Sequence, residues 1–119
     1  MVVREVPFPF AVLDWRSESE ERQLAHLQEL MATERQKGFD LTKPPLLRLY
    51  IIQVDENRHF ILVNYHHILL DGWSNVVIHL EVRAIYDALK RGEARNLPTP
   101  TPYHKYITWL RQQEEAEAK

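Results

Sequence analysis

The sequence predicts an α+β fold in which helices pack on a mixed sheet. Three observations carry that expectation. Strand and helix periodicities follow one another in mixed order, two β-rich runs meet across a short polar turn, and two helical segments come after them. A chain of 119 residues has room for one core, so residues 1–119 read as a single domain.

The elements follow in order. Val2 to Val6 is extended, and Pro7-Phe8-Pro9 then leads into Ala11-Val12-Leu13. Proline removes amide donors, so this stretch reads as an edge strand or an irregular connection. Ser17 with Glu20 three residues on reads as a capping box, and Glu18, Glu20 and Glu21 suit the positive end of a helix. Leu24, Leu27, Leu30 and Met31 mark the apolar face of that helix, and Gly38 stops it. After Pro44-Pro45 comes Leu46 to Val54, interrupted only by Arg48 and Gln53, which predicts a strand covered on both sides. Asp55-Glu56-Asn57 supplies a turn, and Phe60 to Tyr65 is the second strand of an antiparallel hairpin. Without glycine, its connection is expected to be longer than a two-residue primed turn. A helix is expected over 74–91, with Ile78, Val82, Ile85 and Leu89 on one face and Gly92 after it. Pro98, Pro100 and Pro102 then precede a last helix bearing Tyr103, Tyr106, Ile107 and Leu110, and its acidic end, 114–119, reads as solvated.

Composition narrows the function. A net charge of −2 and the lack of a Lys/Arg stripe argue against a nucleic-acid surface. With no cysteine there is no disulfide framework, thiol nucleophile or thiolate metal site. Apolar runs such as 49–52 are far too short to span a bilayer, and Arg4, Glu5, Pro7 and Pro9 do not make a signal peptide. A cytoplasmic protein without membrane partners is the expectation.

The candidate chemistry lies at the end of the second hairpin strand, in Tyr65-His66-His67-Ile68-Leu69-Leu70-Asp71-Gly72. Neighbouring strand residues point to opposite faces, so only one histidine can face a given cavity. Imidazole alone titrates near neutral pH without perturbation and can take a proton and return it. Asp71 can hold the loop from behind, and Gly72 can supply a backbone conformation closed to other residues. Two blander readings stand beside this one. Adjacent histidines are often structural, and His59, His66, His67 and Asp71 lie near one another in sequence, as a metal-ligand set would. Divergent strand side chains and the lack of a helical i, i+4 ligand pair argue against metal.

The stretch from His66 to Ser74, including Trp73, resembles the HHxxxDG signature of nonribosomal peptide synthetase condensation domains, with its trailing Trp-Ser. Phe39-Asp40-Leu41 followed by Pro44-Pro45-Leu46-Leu47-Arg48 resembles the strand entry of the same domains. Pro102-Tyr103 through Tyr106 to Trp109-Leu110 resembles their "PYRDYxxWL" motif, with His104-Lys105 in place of Arg-Asp. Three motifs in order cover most of the chain.

The resemblance implies a partial chloramphenicol acetyltransferase-like lobe: a segment of the N-terminal lobe, with the second lobe absent. It implies peptide-bond formation between a carrier-bound aminoacyl or peptidyl thioester and the amine of a carrier-bound acceptor. His67 is then catalytic, either removing the amine proton or stabilising the tetrahedral intermediate. His66, Asp71 and Gly72 shape the loop, and Arg48, Trp73 and Ser74 are candidate supports. The family's Asp-pairing arginine lies upstream of this region, so Arg48 has two partners open to it, Asp71 or another acidic neighbour. No cofactor or metal is bound directly, and substrates ride on phosphopantetheine. The partners are peptidyl carrier proteins and the remaining synthetase domains, with self-association expected through the face that the missing lobe leaves uncovered. Two alternatives stand beside this reading: another HxxxDG acyltransferase, and a noncatalytic interaction module on the same half-fold. The 119 residues alone are expected to be inactive.

Overall fold

Nine residues at the centre of the chain organise the first half of the fold. In the computed structural model, which describes residues 5–94 and 97–117, strand β2 (Leu47–Asp55) pairs with two others. β1 (Phe10–Asp14) runs parallel to it on one side, and β3 (Arg58–Tyr65) antiparallel on the other. Helix α1 (Glu20–Lys37) makes the crossover between the two parallel strands. Helices α2 (Gly72–Lys90) and α3 (Tyr103–Glu117) complete an α+β fold. The chain divides into two compact units, one up to Asn75 and one from Val76 onward.

In the first unit β1 is an edge strand, as the prolines before it require. Val2, Val3 and Arg4 lie outside the described residues. The hairpin is tighter than the sequence suggests: Asp55 pairs with Arg58, leaving only Glu56 and Asn57 between the strands. No non-glycine residue among those described has positive φ, so the turn is not of the primed kind. A register shift between Gln53 and Asp55 adds one residue to β2, and such a bulge supplies local twist that an unprimed turn lacks.

The same bulge explains a buried glutamine. Gln23 of α1 is 2% exposed, and its Nε2 donates to the Val54 carbonyl at 2.9 Å, to that of Trp15 at 2.9 Å and to that of Glu18 at 3.3 Å. One amide therefore ties the bulge, the end of β1 and the entry to α1 together.

The face that α1 buries is not the leucine stripe. Leu24 and Met31 are 48% and 42% exposed, while Gln23 and Glu34 are buried and Leu27 and Leu30 half-buried between them. The spacing 23, 27, 30, 34 is one helical stripe, rotated from the expected one because its two ends are polar. The cap also differs. Glu18 N donates to Trp15 O at 3.0 Å, so Ser17 sits inside a turn, and Ser19 is the N-cap, accepting from Arg22 N at 3.4 Å. Glu20 and Glu21 still occupy the first turn, and Gly38 (φ 56°) ends the helix.

Glu34, 4% exposed, is the other end of that stripe. Its carboxylate forms an ion pair with Arg48 Nε and accepts hydrogen bonds from Tyr50 Oη at 2.8 Å and Asn64 Nδ2 at 3.2 Å. Arg48 and Asn64 are partners across the β2–β3 ladder, and Tyr50 is two residues along β2, so all three lie on the face toward α1. Burial pushes Glu34 up, but the hydrogen bonds and charge of Arg48, with Tyr50 and Asn64, outweigh it and hold the carboxyl below its ordinary 4.5. Burial, then Glu34, raises the Tyr50 hydroxyl above 10.0.

In the second unit, α2 ends where expected. Gly92 (φ 70°) takes the left-handed conformation, with Glu93 N donating to Ala88 O at 2.9 Å and Gly92 N to Leu89 O at 3.1 Å, a Schellman stop. The expected apolar face of Ile78, Val82, Ile85 and Leu89 is largely exposed; only Ile85 is half-buried, and the buried residue is Ala88. On α3 the aromatic residues of one face touch each other: the Tyr103 and Tyr106 rings lie tilted at 5.9 Å, and Tyr106 stacks on Trp109 at 6.1 Å between ring centroids. The helix continues to Glu117, so the acidic segment is its last turn. Ala118 and Lys119 lie outside the described residues.

Removing one partner of a buried ion pair costs about 3–5 kcal/mol. Glu34→Ala is therefore expected to lower unfolding free energy by about that amount, measured by urea denaturation at pH 7. The pH dependence has two signs. A depressed carboxyl stabilises fully above its ordinary 4.5 and less as pH falls through its folded value, whereas a raised tyrosine stabilises fully below 10.0 and less as pH rises through its folded value. A Tyr50→Phe chain should lose the alkaline limb of the stability profile and keep the acid one.

Candidate functional site: the turn between β3 and α2

β3 stops at Tyr65 and α2 starts at Gly72, so the residues between them are a turn held at both ends. Its first end is an extension of the hairpin ladder: His66 N donates to Leu46 O at 3.0 Å. Leu69 N then donates to His66 O at 2.9 Å and closes the turn. The strand alternation that was expected to separate the two histidines therefore does not reach them, and the turn separates them instead. His66 is half-buried and His67 is exposed.

The His66 ring has two contacts. Its Nδ1 accepts from Ile68 N at 3.1 Å, which places the proton of the neutral ring on Nε2. Its ring meets Phe39 edge to face, 6.4 Å between centroids at 89°.

The second end of the turn is Asp71, which caps α2. Its Oδ1 accepts from Ser74 N at 2.7 Å, and its carbonyl accepts from Asn75 N at 3.0 Å. Hydrogen bonds from Ser74 hold the Asp71 carboxyl below the usual range, with a smaller pull from His67. Among the described residues no arginine pairs with Asp71; its partner is the helix it starts.

The expectation that Gly72 supplies a special backbone is not met. Its φ lies outside the positive region, and an added Cβ would meet nothing within 4 Å. It is simply the first helical residue after the cap. Trp73 is 83% exposed, and Ser74 serves through its amide in the cap.

Of the two partners open to Arg48, the structure selects the acidic neighbour, Glu34. Arg48 Nη2 also donates to Gly38 O at 2.9 Å, and its guanidinium lies 4.1 Å from the Phe39 ring centroid. Phe39 sits in a loop that Asp40 organises: Asp40 Oδ1 accepts from Thr42 N at 3.0 Å and Thr42 Oγ1 at 2.7 Å. These bonds hold the Asp40 carboxyl down to about 2.

Glu34 and Asn64 are the residues around the site that sequence reading missed. The usable signal was a lone carboxylate in helical register with Leu27 and Leu30, opposite a lone arginine in an apolar strand. Among the described residues no three His, Asp or Glu side chains cluster as metal ligands, and no helix is long and apolar enough to cross a membrane. A shallow groove of about 170 Å³ between β1 and β2 is lined by Phe10, Arg48 and Tyr50 among others, and by neither histidine.

The turn thus presents an exposed imidazole, His67, between a strand end and a capped helix, where it can exchange a proton with a group arriving from solvent. The family model for the Condensation domain matches residues 1–119. The chain is 36% identical over 118 residues to a linear gramicidin synthase of Brevibacillus parabrevis, covering 99% of this chain and 2% of that protein. It is 33% identical over 118 residues to bacitracin synthase 1 of Bacillus licheniformis, again 99% of this chain and 2% of the relative. To a plipastatin synthase of Bacillus subtilis it is 34% identical over 99 residues, 83% of this chain and 4% of the relative. The chain belongs to the condensation domain family of nonribosomal peptide synthetases, and it spans only a few per cent of the length of these relatives.

Because Asp71 acts here as a helix cap, Asp71→Ala should lower the melting temperature by roughly 2–8 °C, while Asp71→Asn, which still caps, should lose less. Thermal unfolding followed by circular dichroism measures the difference.

Proposed function

We propose that the chain is a segment of the N-terminal lobe of a condensation domain and that His67 is its catalytic residue. The observation that supports this is the exposed His67 on the turn between β3 and the Asp71-capped α2, inside the HHxxxDG motif. The acceptor's α-amine nitrogen attacks the carbonyl carbon of the donor thioester. A C–N bond forms, the C–S bond breaks, the amine gives up a proton and the phosphopantetheine thiol leaves with one. An imidazole at the turn can accept that proton and pass it on, and no acyl-enzyme is needed because the thioester is already activated.

The partners are then peptidyl carrier proteins and the other synthetase domains, in the cytoplasm. The substrate tunnel requires a second lobe. The 119 residues by themselves would therefore form no amide, because orienting two bound reactants contributes roughly 7–11 kcal/mol of a barrier and half a tunnel cannot hold both. The same reading has the isolated chain self-associate through uncovered apolar residues such as Phe10, Val12 and Ile61.

In a complete domain carrying these residues, His67→Ala should slow single-turnover condensation from preloaded carriers by about 10²–10⁴-fold, with folding unchanged. A folded His67→Ala domain that condenses at the parental rate would remove His67 from the chemistry.

A further inference from the structure

Among the described residues, the side chain of the motif turn that is seated against the rest of its unit through a ring contact is His66. Its seat is Phe39, from the loop after α1, at 6.4 Å and 89°. The Phe39 ring is in turn held by the Arg48 guanidinium, 4.1 Å from its centroid. Arg48 is fixed by the buried Glu34 carboxylate and by the Gly38 carbonyl, one residue before Phe39. Glu34 also accepts from Asn64, near the end of β3 and two residues before His66. The contacts thus run without a gap from a buried carboxylate in α1 to the imidazole that starts the motif turn.

Each link has a physical reason to be rigid. A buried carboxylate needs its donors, so Glu34 keeps Arg48 in place. A guanidinium is planar and stacks on an aromatic face, so Arg48 sets the height of the Phe39 ring. The Asp40–Thr42 hydrogen bonds hold the loop backbone on its far side. An edge-to-face neighbour then restricts rotation of the His66 ring, which keeps Nδ1 aimed at Ile68 N.

We propose that Phe39, seated by the Glu34–Arg48 pair, is a positioning residue for condensation: it locks the His66 ring in the Nε2–H form, and His66 through its bond to Ile68 N holds the turn that presents His67. This rests on the catalytic reading of His67 given above. Phe39 touches no reacting atom and acts only through His66.

The test uses a complete condensation domain containing these residues, with histidine ring nitrogens labelled with ¹⁵N. In the parent, the His66 nitrogens should report a protonated Nε2 and an accepting Nδ1. Phe39→Leu keeps an apolar side chain but removes the ring face. It should mix the two His66 tautomers and slow single-turnover condensation about 10- to 100-fold, as small misplacements near a reacting centre do. Carrier affinity should be unchanged, so the loss falls on the chemical step. Phe39→Tyr restores the ring and should restore both the tautomer signal and the rate. If Phe39→Leu fails to fold, Phe39→Met, closer in volume, carries the same two readouts.

A folded Leu or Met variant with an unaltered His66 signal and parental rate would overturn the proposal. So would a rate loss in Phe39→Leu that Phe39→Tyr does not recover. The His66 tautomer is read independently of turnover. If His67→Ala proved harmless, the catalytic reading would fail by itself, while the tautomer shift would still report whether Phe39 seats His66.

Discussion

Glu34 is a carboxylate in the same inward helical stripe as Leu27 and Leu30. Once it is buried, desolvation makes every one of its donors obligatory. Arg48, Tyr50 and Asn64 supply them from both strands of the hairpin, which ties α1 to β2 and β3 at one place and in one register. A one-residue slip of β3 would turn Asn64 to the other face of the sheet. At the opposite end of the same helical stripe, Gln23 does comparable service for the bulge and for the end of β1. The helix is thus attached to the sheet at both ends by polar contacts, with Leu27 and Leu30 packed between them. Such attachment specifies geometry more sharply than leucines alone, because hydrogen bonds have direction and apolar contacts largely do not.

The motif turn inherits that geometry. Its first residue continues the β2–β3 ladder, and its last caps α2, so the segment between them has little freedom to drift. Asp71 belongs to the helix it begins. This places the loop-shaping work of the motif in local backbone chemistry, and places the long-range work in Arg48 and Phe39, which come from a different motif. The two motif segments of the sequence meet at His66.

Much of the apolar surface remains open in the described residues. Val12 and Ile61, which flank Ile51 across the sheet, are exposed, as is Phe10 two residues along β1. Trp73, Leu80 and Tyr86 on α2 are exposed as well. The chain covers only about 2% of the gramicidin and bacitracin synthases it resembles, proteins with ample further polypeptide. Its sheet therefore has one face organised by α1 and an opposite face that carries exposed apolar residues.

What the sequence determined by itself was the order of elements, the hairpin, the glycine stops at Gly38 and Gly92, and the resemblance to the condensation domain family. Those features are local: periodicity, turn chemistry and spacing are written in consecutive residues. Tertiary structure decided which face of α1 turns inward, which serine caps it, and which acid Arg48 takes. Leu24 and Met31 looked like core because periodicity scores hydrophobicity, yet the inward stripe ends in Gln23 and Glu34, whose partners lie far away in sequence. Ser17 lost the cap to Ser19 because the turn closed by Glu18 N and Trp15 O takes Ser17 into its interior. Arg48 could have reached Asp71 on charge alone. It pairs with Glu34 because strand register and helix packing bring that carboxylate, and not the other, within hydrogen-bonding distance, and such non-local satisfaction of buried polar groups has no signature in any short window of sequence.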